Sequence, residues 1–209
     1  MLGVREQYGV AGAAGSHPRL CSMFPTTLVE TGGVVEIPGE DCAVVAAGHL
    51  VVVVGERIPR FTIRADMASA AVDVTAGLSL CEPEWYGESR STQRPSRLVA
   101  TAVDSWAVLG KPLVPGSAGS VRRVRTWHGG RLVADVGTDA MRLPVLDLLT
   151  YLSDYMTLEP GDVLFTGGVD TLPLHPGDRL AVEVDGLARA EADVVPLSLD
   201  GLQLAGGRS

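Results

Sequence analysis

Charged residues that could transfer protons occur at two places in the chain. Glu82 and Glu84 are separated by one residue, and a carboxylate pair can act as general acid and general base. Lys111 is the only lysine in the chain, and its cationic amine could bind a carboxylate or stabilise an enolate without a metal. We therefore predict Lys111, Glu82 and Glu84 as catalytic residues, although the same pattern also fits solvated surface charges.

Two further segments could bind a substrate. Trp85 and Tyr86 follow the glutamates directly and could line a pocket for an apolar group, or could instead pack beneath a long loop predicted at 87–100. Thr166, Gly167 and Gly168 come immediately after an apolar strand pattern. Because successive backbone N–H groups in such a loop can bind an oxyanion, we predict these five residues as substrate-binding residues.

The sequence predicts a helix before the Thr166 loop. Pro144 suits the first turn of a helix, where its missing N–H costs nothing. The apolar residues that follow recur at helical spacing, which predicts one apolar face: Val145, Leu148, Leu149, Leu152 and Met156.

Strands and turns are predicted on both sides of this loop. Pro160-Gly161-Asp162 and Pro176-Gly177-Asp178 are typical turns. The first precedes a short apolar strand at 163–165, and the second precedes an alternating, half-buried strand at 180–184. Residues 121–136 form a hairpin pattern that turns at His128-Gly129-Gly130.

Weaker patterns describe the first third of the chain. The apolar runs 42–47 and 50–54 are separated by Gly48-His49, which predicts a tight hairpin. Residues 66–76 predict a short helix capped by Asp66. Residues 1–17 are rich in Gly and Ala, and we expect a loose N-terminal arm followed by a single domain at 18–209.

The sequence YLSDYMTLEPGDVLFTG at 151–167, followed by LHPGDRLAVEVDGL at 174–187, resembles the C-terminal part of the fumarylacetoacetate hydrolase superfamily. Fainter matches reach back to about residue 18. The resemblance implies a mainly β fold with a few helices (α+β), built as a rolled mixed β-sheet of the fumarylacetoacetate hydrolase type. It also implies a homodimer and a small-molecule substrate.

The superfamily binds one divalent metal through two glutamates at the start of a strand and one aspartate at the end of another. Aligned on the match at 43–45, these three positions fall on Gly39, Asp41 and Pro83. A proline side chain cannot ligate a metal, so Asp41 is the single metal carboxylate that the resemblance retains. We therefore expect no cofactor, with Mg²⁺ or Mn²⁺ as the alternative.

Other functional positions of the superfamily are also changed. The Glu–His pair that activates water in its N-terminal lid falls on Ala11 and Ala14, and a lysine near its active site falls on Met23. Lys111 occupies the position of a second lysine, and Thr166-Gly167-Gly168 matches the superfamily's carboxylate-binding loop. These changes imply that the ancestral hydrolysis is lost.

Composition restricts the class of protein. The 209 residues suit one domain, and a net charge of −8 argues against a nucleic-acid partner. No apolar run approaches a membrane span, and no secretion signal is present. Three widely spaced cysteines, Cys21, Cys42 and Cys81, fit a reducing compartment. We expect a cytoplasmic protein that contacts neither nucleic acid nor membrane.

The first functional hypothesis is an enzyme that acts on a small keto or enol substrate by metal-independent proton transfer. It would be an isomerase, cyclase or lyase, plausibly in specialised metabolism. One alternative is a non-catalytic homologue that binds a ligand or supports a partner subunit. A second alternative is a metal-dependent hydrolase, decarboxylase or tautomerase with a metal site rebuilt from Asp41, Glu82 and Glu84.

Overall fold

The computed structural model describes residues 1–5, 7–8, 18–38, 43–83, 97–116 and 119–197, with only the backbone described at 97–98. The strands of these residues are β1 (Leu2–Arg5), β2 (Arg19–Ser22), β3 (Leu28–Glu30), β4 (Val34–Ile37), β5 (Val45–Val54), β6 (Val72–Cys81), β7 (Ala107–Leu109), β8 (Val114–Gly116), β9 (Arg123–His128), β10 (Arg131–Gly137), β11 (Val163–Phe165), β12 (Arg179–Val184) and β13 (Ala190–Pro196). The α-helices are α1 (Arg64–Met67) and α2 (Val145–Tyr155).

The strands form two sheets. Sheet A has the order β2-β1-β11-β5-β6-β7-β3, with β8 paired to β6, and sheet B has the order β10-β9-β12-β13-β4. Three pairs are parallel, namely β1–β11, β3–β7 and β4–β13, and the others are antiparallel. The predicted mainly β fold with a mixed sheet and few helices is confirmed.

The longest strands, β5 and β6, form the centre of sheet A. They pair along their whole length, from Val45 opposite Cys81 to Val54 opposite Val72. The predicted hairpin at Gly48-His49 is wrong, because β5 runs through both residues without a turn. The glycine is needed for packing: a Cβ at Gly48 would lie 2.3 Å from Thr126 Oγ1 of β9.

The two faces of β5 meet different surroundings. Leu50 and Val52 belong to the main core, together with Val182 of β12 and Leu149 of α2. Val51 lies on the opposite face, in a small cluster with Phe165, Met23 and Ala107. The core between the sheets and α2 therefore fixes β5, and the opposite face of β5 carries His49.

The helix predicted at 66–76 is also wrong over most of its length. Helix α1 ends at Met67, its N-cap residue is Ile63 with no side-chain cap, and β6 begins at Val72. Val72 and Val74 are β-branched and fully buried. Their β preference and their pairing with β5 prevail over the helical pattern of the surrounding alanines.

The N-terminus is not a loose arm over its first residues. Leu2–Arg5 form β1, which lies between β2 and β11 inside sheet A. A Cβ at Gly3 would lie 2.7 Å from Cys21 Sγ, so the missing side chain allows β1 to pack closely on β2. Residues 9–17, the rest of the predicted arm, lie outside the described residues.

The helix and hairpin predicted in the second half of the chain are confirmed. Leu148, Leu149 and Leu152 of α2 are fully buried. The β9–β10 hairpin turns at Gly129 and Gly130, whose φ values of 57° and 79° favour glycine. Within the described ranges, no helix is long and apolar enough to span a membrane.

Candidate functional site

Strand register brings three distant segments together at one end of sheet A. Gly3 pairs with Phe165, so Arg5 at the end of β1 lies beside the loop after β11. Phe165 pairs with Val51, so the same loop runs along β5 past His49. An isolated bridge between Ala47 and Asp170 continues this contact.

The end of β6 reaches the same region. Val45, the first residue of β5, pairs with Cys81, and Glu82 follows directly. Asp170, Arg5 and Glu82 all lie close enough to Cys81 to influence its thiol electrostatically. We call this group, Arg5, Cys81, Glu82 and Asp170, the β6-end cluster.

His49 is a buried polar side chain near this cluster, 1% exposed. Its Nδ1 accepts a hydrogen bond from the Gly167 N–H (3.0 Å), and its Nε2 lies 2.8 Å from Ser79 Oγ. Because Nδ1 is an acceptor, the neutral ring carries its proton on Nε2 and donates it to Ser79. The edge of the ring also meets Phe165 at 5.5 Å between centroids.

This tautomer determines what His49 can do. Burial, and secondarily the charge of Arg5, lowers the pKa of His49 to about 3. A ring that already holds its proton on Nε2 cannot take the proton of the Ser79 hydroxyl. His49 therefore does not act as a general base that activates Ser79 as a nucleophile. His49 instead fixes the loop after β11 to the centre of sheet A.

The predicted oxyanion loop is held by protein acceptors. Thr166 donates both its N–H (3.3 Å) and its hydroxyl (2.8 Å) to the Leu50 carbonyl. Gly167, at φ 111°, donates to His49, and a Cβ at Gly168 would lie 2.3 Å from the Gly48 carbonyl oxygen. The N–H groups of Thr166 and Gly167 therefore anchor the loop to β5, and their role as anion donors stays a prediction.

Glu82 is the one predicted catalytic residue that the structure places in the β6-end cluster. Its side chain is 1% exposed, and its N–H donates to the Ala100 carbonyl (3.1 Å). Cys81 beside it stays a thiol, since burial raises its pKa to about 12 against the opposing charge of Arg5.

Lys111 lies away from this carboxyl group, and its catalytic role stays a prediction. Its side chain is 55% exposed and forms an ion pair with Glu30. The N–H of the neighbouring Gly110 donates to the Ala76 carbonyl of β6. A strand rises about 3.3 Å per residue, so Ala76 lies about 20 Å along β6 from Glu82. The loop after β7 thus carries Lys111 away from the cluster.

Four predicted residues cannot be placed. Asp41, the single metal carboxylate, lies outside the described residues, as do Glu84, Trp85 and Tyr86. Their assignments to metal, acid–base and substrate roles stay predictions.

The residues around Glu82 fit a divalent metal poorly. In the part of the chain that the structure describes, no three His, Cys, Asp or Glu side chains group as a metal site. Pro83 supplies no ligand, and the nearby guanidinium of Arg5 repels a cation. We derive no step through a metal.

The sequence interpretation missed Arg5, His49 and Asp170. Arg5 fell in the expected arm, and His49 was assigned to a turn. A histidine inside an otherwise apolar run was the available signal, because such a residue in a central strand must find buried hydrogen-bond partners.

Comparison with known sequences gives relatives of several activities. The chain is 31% identical over 145 residues to a 4-hydroxyphenylacetate degradation bifunctional isomerase/decarboxylase of Escherichia coli, covering 68% of this chain and 33% of that protein. It is 25% identical over 169 residues to a mitochondrial oxaloacetate tautomerase of Oryza sativa subsp. japonica, covering 78% of this chain and 71% of that protein. The chain thus spans about a third of the bifunctional relative.

Solved structures share the fold at low identity. A 5-carboxymethyl-2-hydroxymuconate delta-isomerase from Mycobacterium smegmatis superposes with a TM-score of 0.82 at 22% identity, covering 94% of this chain and 78% of that chain. A fumarylpyruvate hydrolase from Pseudomonas aeruginosa, in complex with Mn²⁺ and pyruvate, gives 0.76 at 21%, covering 94% and 89%.

A family sequence model agrees with both comparisons. The model described as fumarylacetoacetate (FAA) hydrolase C-terminal matches residues 5–195. This match covers most of the chain, including Arg5, Glu82 and the loop after β11. The chain belongs to the fumarylacetoacetate hydrolase family.

Proposed function

We propose that this chain is an enzyme that isomerises or tautomerises a small keto or enol acid, with Glu82 as the group that carries the proton. The observation that carries the proposal is the position of Glu82: a carboxyl group that is 1% exposed, within the β6-end cluster. Buried carboxyl groups are rare in cores and are frequent in sites of proton transfer.

The family context supports an enzyme. Its relatives include isomerase/decarboxylases and oxaloacetate tautomerases. Tautomerisation of a keto acid moves a proton between a carbon and the oxygen of the neighbouring carbonyl group, and an isomerisation can move one between two carbons. This shared step is what we assign to the chain.

The proposed step moves one proton. The Glu82 carboxylate takes a proton from the carbon next to the keto group, and the C–H electron pair forms a carbon–carbon double bond while the carbonyl pair moves to oxygen. The carboxylic acid then returns the proton to that oxygen, giving the enol, or to another carbon, giving an isomer. No bond to the protein forms, so no nucleophile is needed.

The loop after β11 provides a fixed wall for this step. Thr166 and Gly167 are tied to Leu50 and His49 of β5. A loop tied to the sheet in this way would hold the substrate carbon in a fixed position relative to Glu82, and fixed positioning raises the rate of general-base catalysis.

The test is exchange of carbon-bound hydrogen. Oxaloacetate and pyruvate are incubated with the EDTA-treated protein in D₂O, and loss of the proton signal next to the keto group is followed by NMR. Glu82→Gln should slow the exchange by about 100-fold or more, because a positioned general base contributes 10²–10⁴. Glu159→Gln, at an exposed glutamate paired with Arg57, is the matched control.

Two results would overturn the proposal. One is undiminished exchange by the folded Glu82→Gln variant. The other is binding of both acids by the wild type without any exchange, which would favour the non-catalytic ligand-binding alternative. Exchange that appears only after Mg²⁺ or Mn²⁺ is added would favour the metal-dependent alternative instead.

A further inference from the structure

Arg5 is a buried cation at the end of a strand. Its side chain is 10% exposed, although Arg5 is the last residue of β1. Its Nη2 donates to Asp170 Oδ1 at 2.6 Å. The Asp170 side chain is 46% exposed, so water screens the aspartate far more than it screens the arginine.

The other terminal nitrogen of Arg5 is the unusual feature. Nη1 is buried and has no hydrogen-bond partner among the residues described. A guanidinium group presents N–H donors in a planar fork, and a buried donor of this kind normally has a partner. Asp170 binds Nη2 of this fork, and Nη1 is available to a ligand.

Two of the titratable groups near the fork carry no charge. His49 is neutral, and Cys81 stays a thiol. Arg5 is a positive charge beside these groups, while Lys111 is paired with Glu30. The planar fork of arginine matches the geometry of a carboxylate better than that of a single-atom anion.

We propose that Arg5 binds the carboxylate group of a small organic acid through Nη1, with Asp170 fixing the guanidinium by holding Nη2. The inference rests on the proposed function, because it names the group of the substrate that is recognised and the residue that recognises it. It places the negative end of the acid beside the cluster that contains Glu82. Arg5 then supplies the positive charge that the sequence interpretation had assigned to Lys111.

Binding can be measured separately from catalysis. Pyruvate is titrated into EDTA-treated wild type and Arg5→Met by calorimetry, and pyruvamide serves as the uncharged ligand. The expected result is at least tenfold weaker binding of pyruvate by Arg5→Met. Pyruvamide should bind both proteins equally weakly. Arg57→Met, which removes an exposed arginine paired with Glu159, should bind pyruvate like the wild type.

A second variant keeps the test decisive if Arg5→Met does not fold. Asp170→Asn keeps an oxygen that can accept from Nη2 and removes the negative charge beside the guanidinium, so pyruvate should bind more tightly than to wild type. Unchanged or weaker binding by Asp170→Asn, or equal binding by a folded Arg5→Met, would overturn the assignment of Arg5. Absence of pyruvate binding by the wild type would also overturn it.

The two proposals fail in different ways. Glu82→Gln should bind pyruvate normally and lose hydrogen exchange. If Arg5→Met binds pyruvate normally while exchange still depends on Glu82, the Arg5 assignment fails and the proposed function stands. If Arg5 governs binding but no acid exchanges hydrogen, the carboxylate site stands and the proposed function fails.

Discussion

At the scale of single residues, His49 joins two parts of the protein that meet only in the folded state. One ring nitrogen accepts from Gly167 in the loop after β11, and the other donates to Ser79 of β6. The contact with Gly167 requires a neutral ring, because a protonated Nδ1 cannot accept. Protonation would place a second N–H against the Gly167 N–H, so acid should weaken the attachment of the loop to the sheet.

The pH dependence of stability tests this role. The pKa of His49 is lowered to about 3 in the folded state, whereas an unfolded histidine titrates near 6.5. Between these values only the unfolded chain binds the proton, so stability falls as the pH falls. The expected slope is about 1.4 kcal/mol per pH unit, with a total loss on the order of 4–5 kcal/mol.

Urea unfolding of wild type and His49→Asn at several pH values from 7 to 4 measures this slope. The asparagine side chain can accept from Gly167 and does not titrate, so the variant should be less stable at pH 7 and should lose less stability in acid. His175→Asn removes an exposed histidine and should keep the wild-type slope. If the free energy of unfolding changed with pH in the same way for wild type and His49→Asn, His49 would not be a buried, neutral histidine in the folded state.

The residues of the site could be predicted only in part. Glu82 was predicted because its residue type and its neighbour suggested chemistry, and the structure places it in the β6-end cluster, while its catalytic role stays a prediction. Arg5 and His49 were not found, because their roles depend on β1 lying beside β11 and on β11 lying beside β5. Residue types do not encode a register between strands that are distant in sequence.

At the scale of elements, the loop after β11 depends on close backbone packing against β5. Gly168 lies so near the Gly48 carbonyl that an added Cβ would approach its oxygen to 2.3 Å. The obstacle is backbone of a central strand, which cannot move aside as a flexible side chain would. The loop must therefore move instead.

Gly168→Ala should displace the loop and break the hydrogen bond from Gly167 to His49. The expected loss of stability is about 1–3 kcal/mol, as for other overpacked sites. Hydrogen exchange of the Gly167 amide should become markedly faster than in wild type. Gly130→Ala, at a hairpin turn with open space around it, should leave this amide protected, and equal protection in Gly168→Ala would contradict the close packing.

Elements with strong local signals were predicted correctly. Helix α2 has one apolar face, and the β9–β10 hairpin has two glycines at its turn. The signals for β5 and β6 were ambiguous, because both strands are buried on two faces and lack the polar alternation that marks a strand. Their pairing with each other, a long-range contact, determines their structure.

At the scale of the whole molecule, the two sheets share one core. Val35 and Val194 of sheet B belong to the same buried cluster as Val52 and Leu78 of sheet A. The β6-end cluster lies where β5 begins and β6 ends, so its geometry depends on this core. A ligand bound at the cluster should therefore stabilise the whole fold, and thermal unfolding can report its binding.

Metal binding is the last prediction and uses this readout. A hard cation bound with micromolar affinity, added at about 1,000 times its Kd, stabilises a protein by about 4 kcal/mol. For a chain of this size, such a gain raises the Tm by about 8–16 °C. We expect Mg²⁺ and Mn²⁺ to change the Tm by less than about 2 °C, because Arg5 places a positive charge in the same cluster as Glu82.

Wild type, Asp41→Asn and Glu82→Gln are compared after EDTA treatment, with NaCl at equal ionic strength as the control. A saturable rise of several degrees in wild type, absent from both variants, would contradict the expectation. It would show that Asp41 and Glu82 hold a cation together, and the metal-dependent alternative would then replace the metal-independent one. Equal small shifts in all three proteins would leave Arg5 as the positive charge of the site.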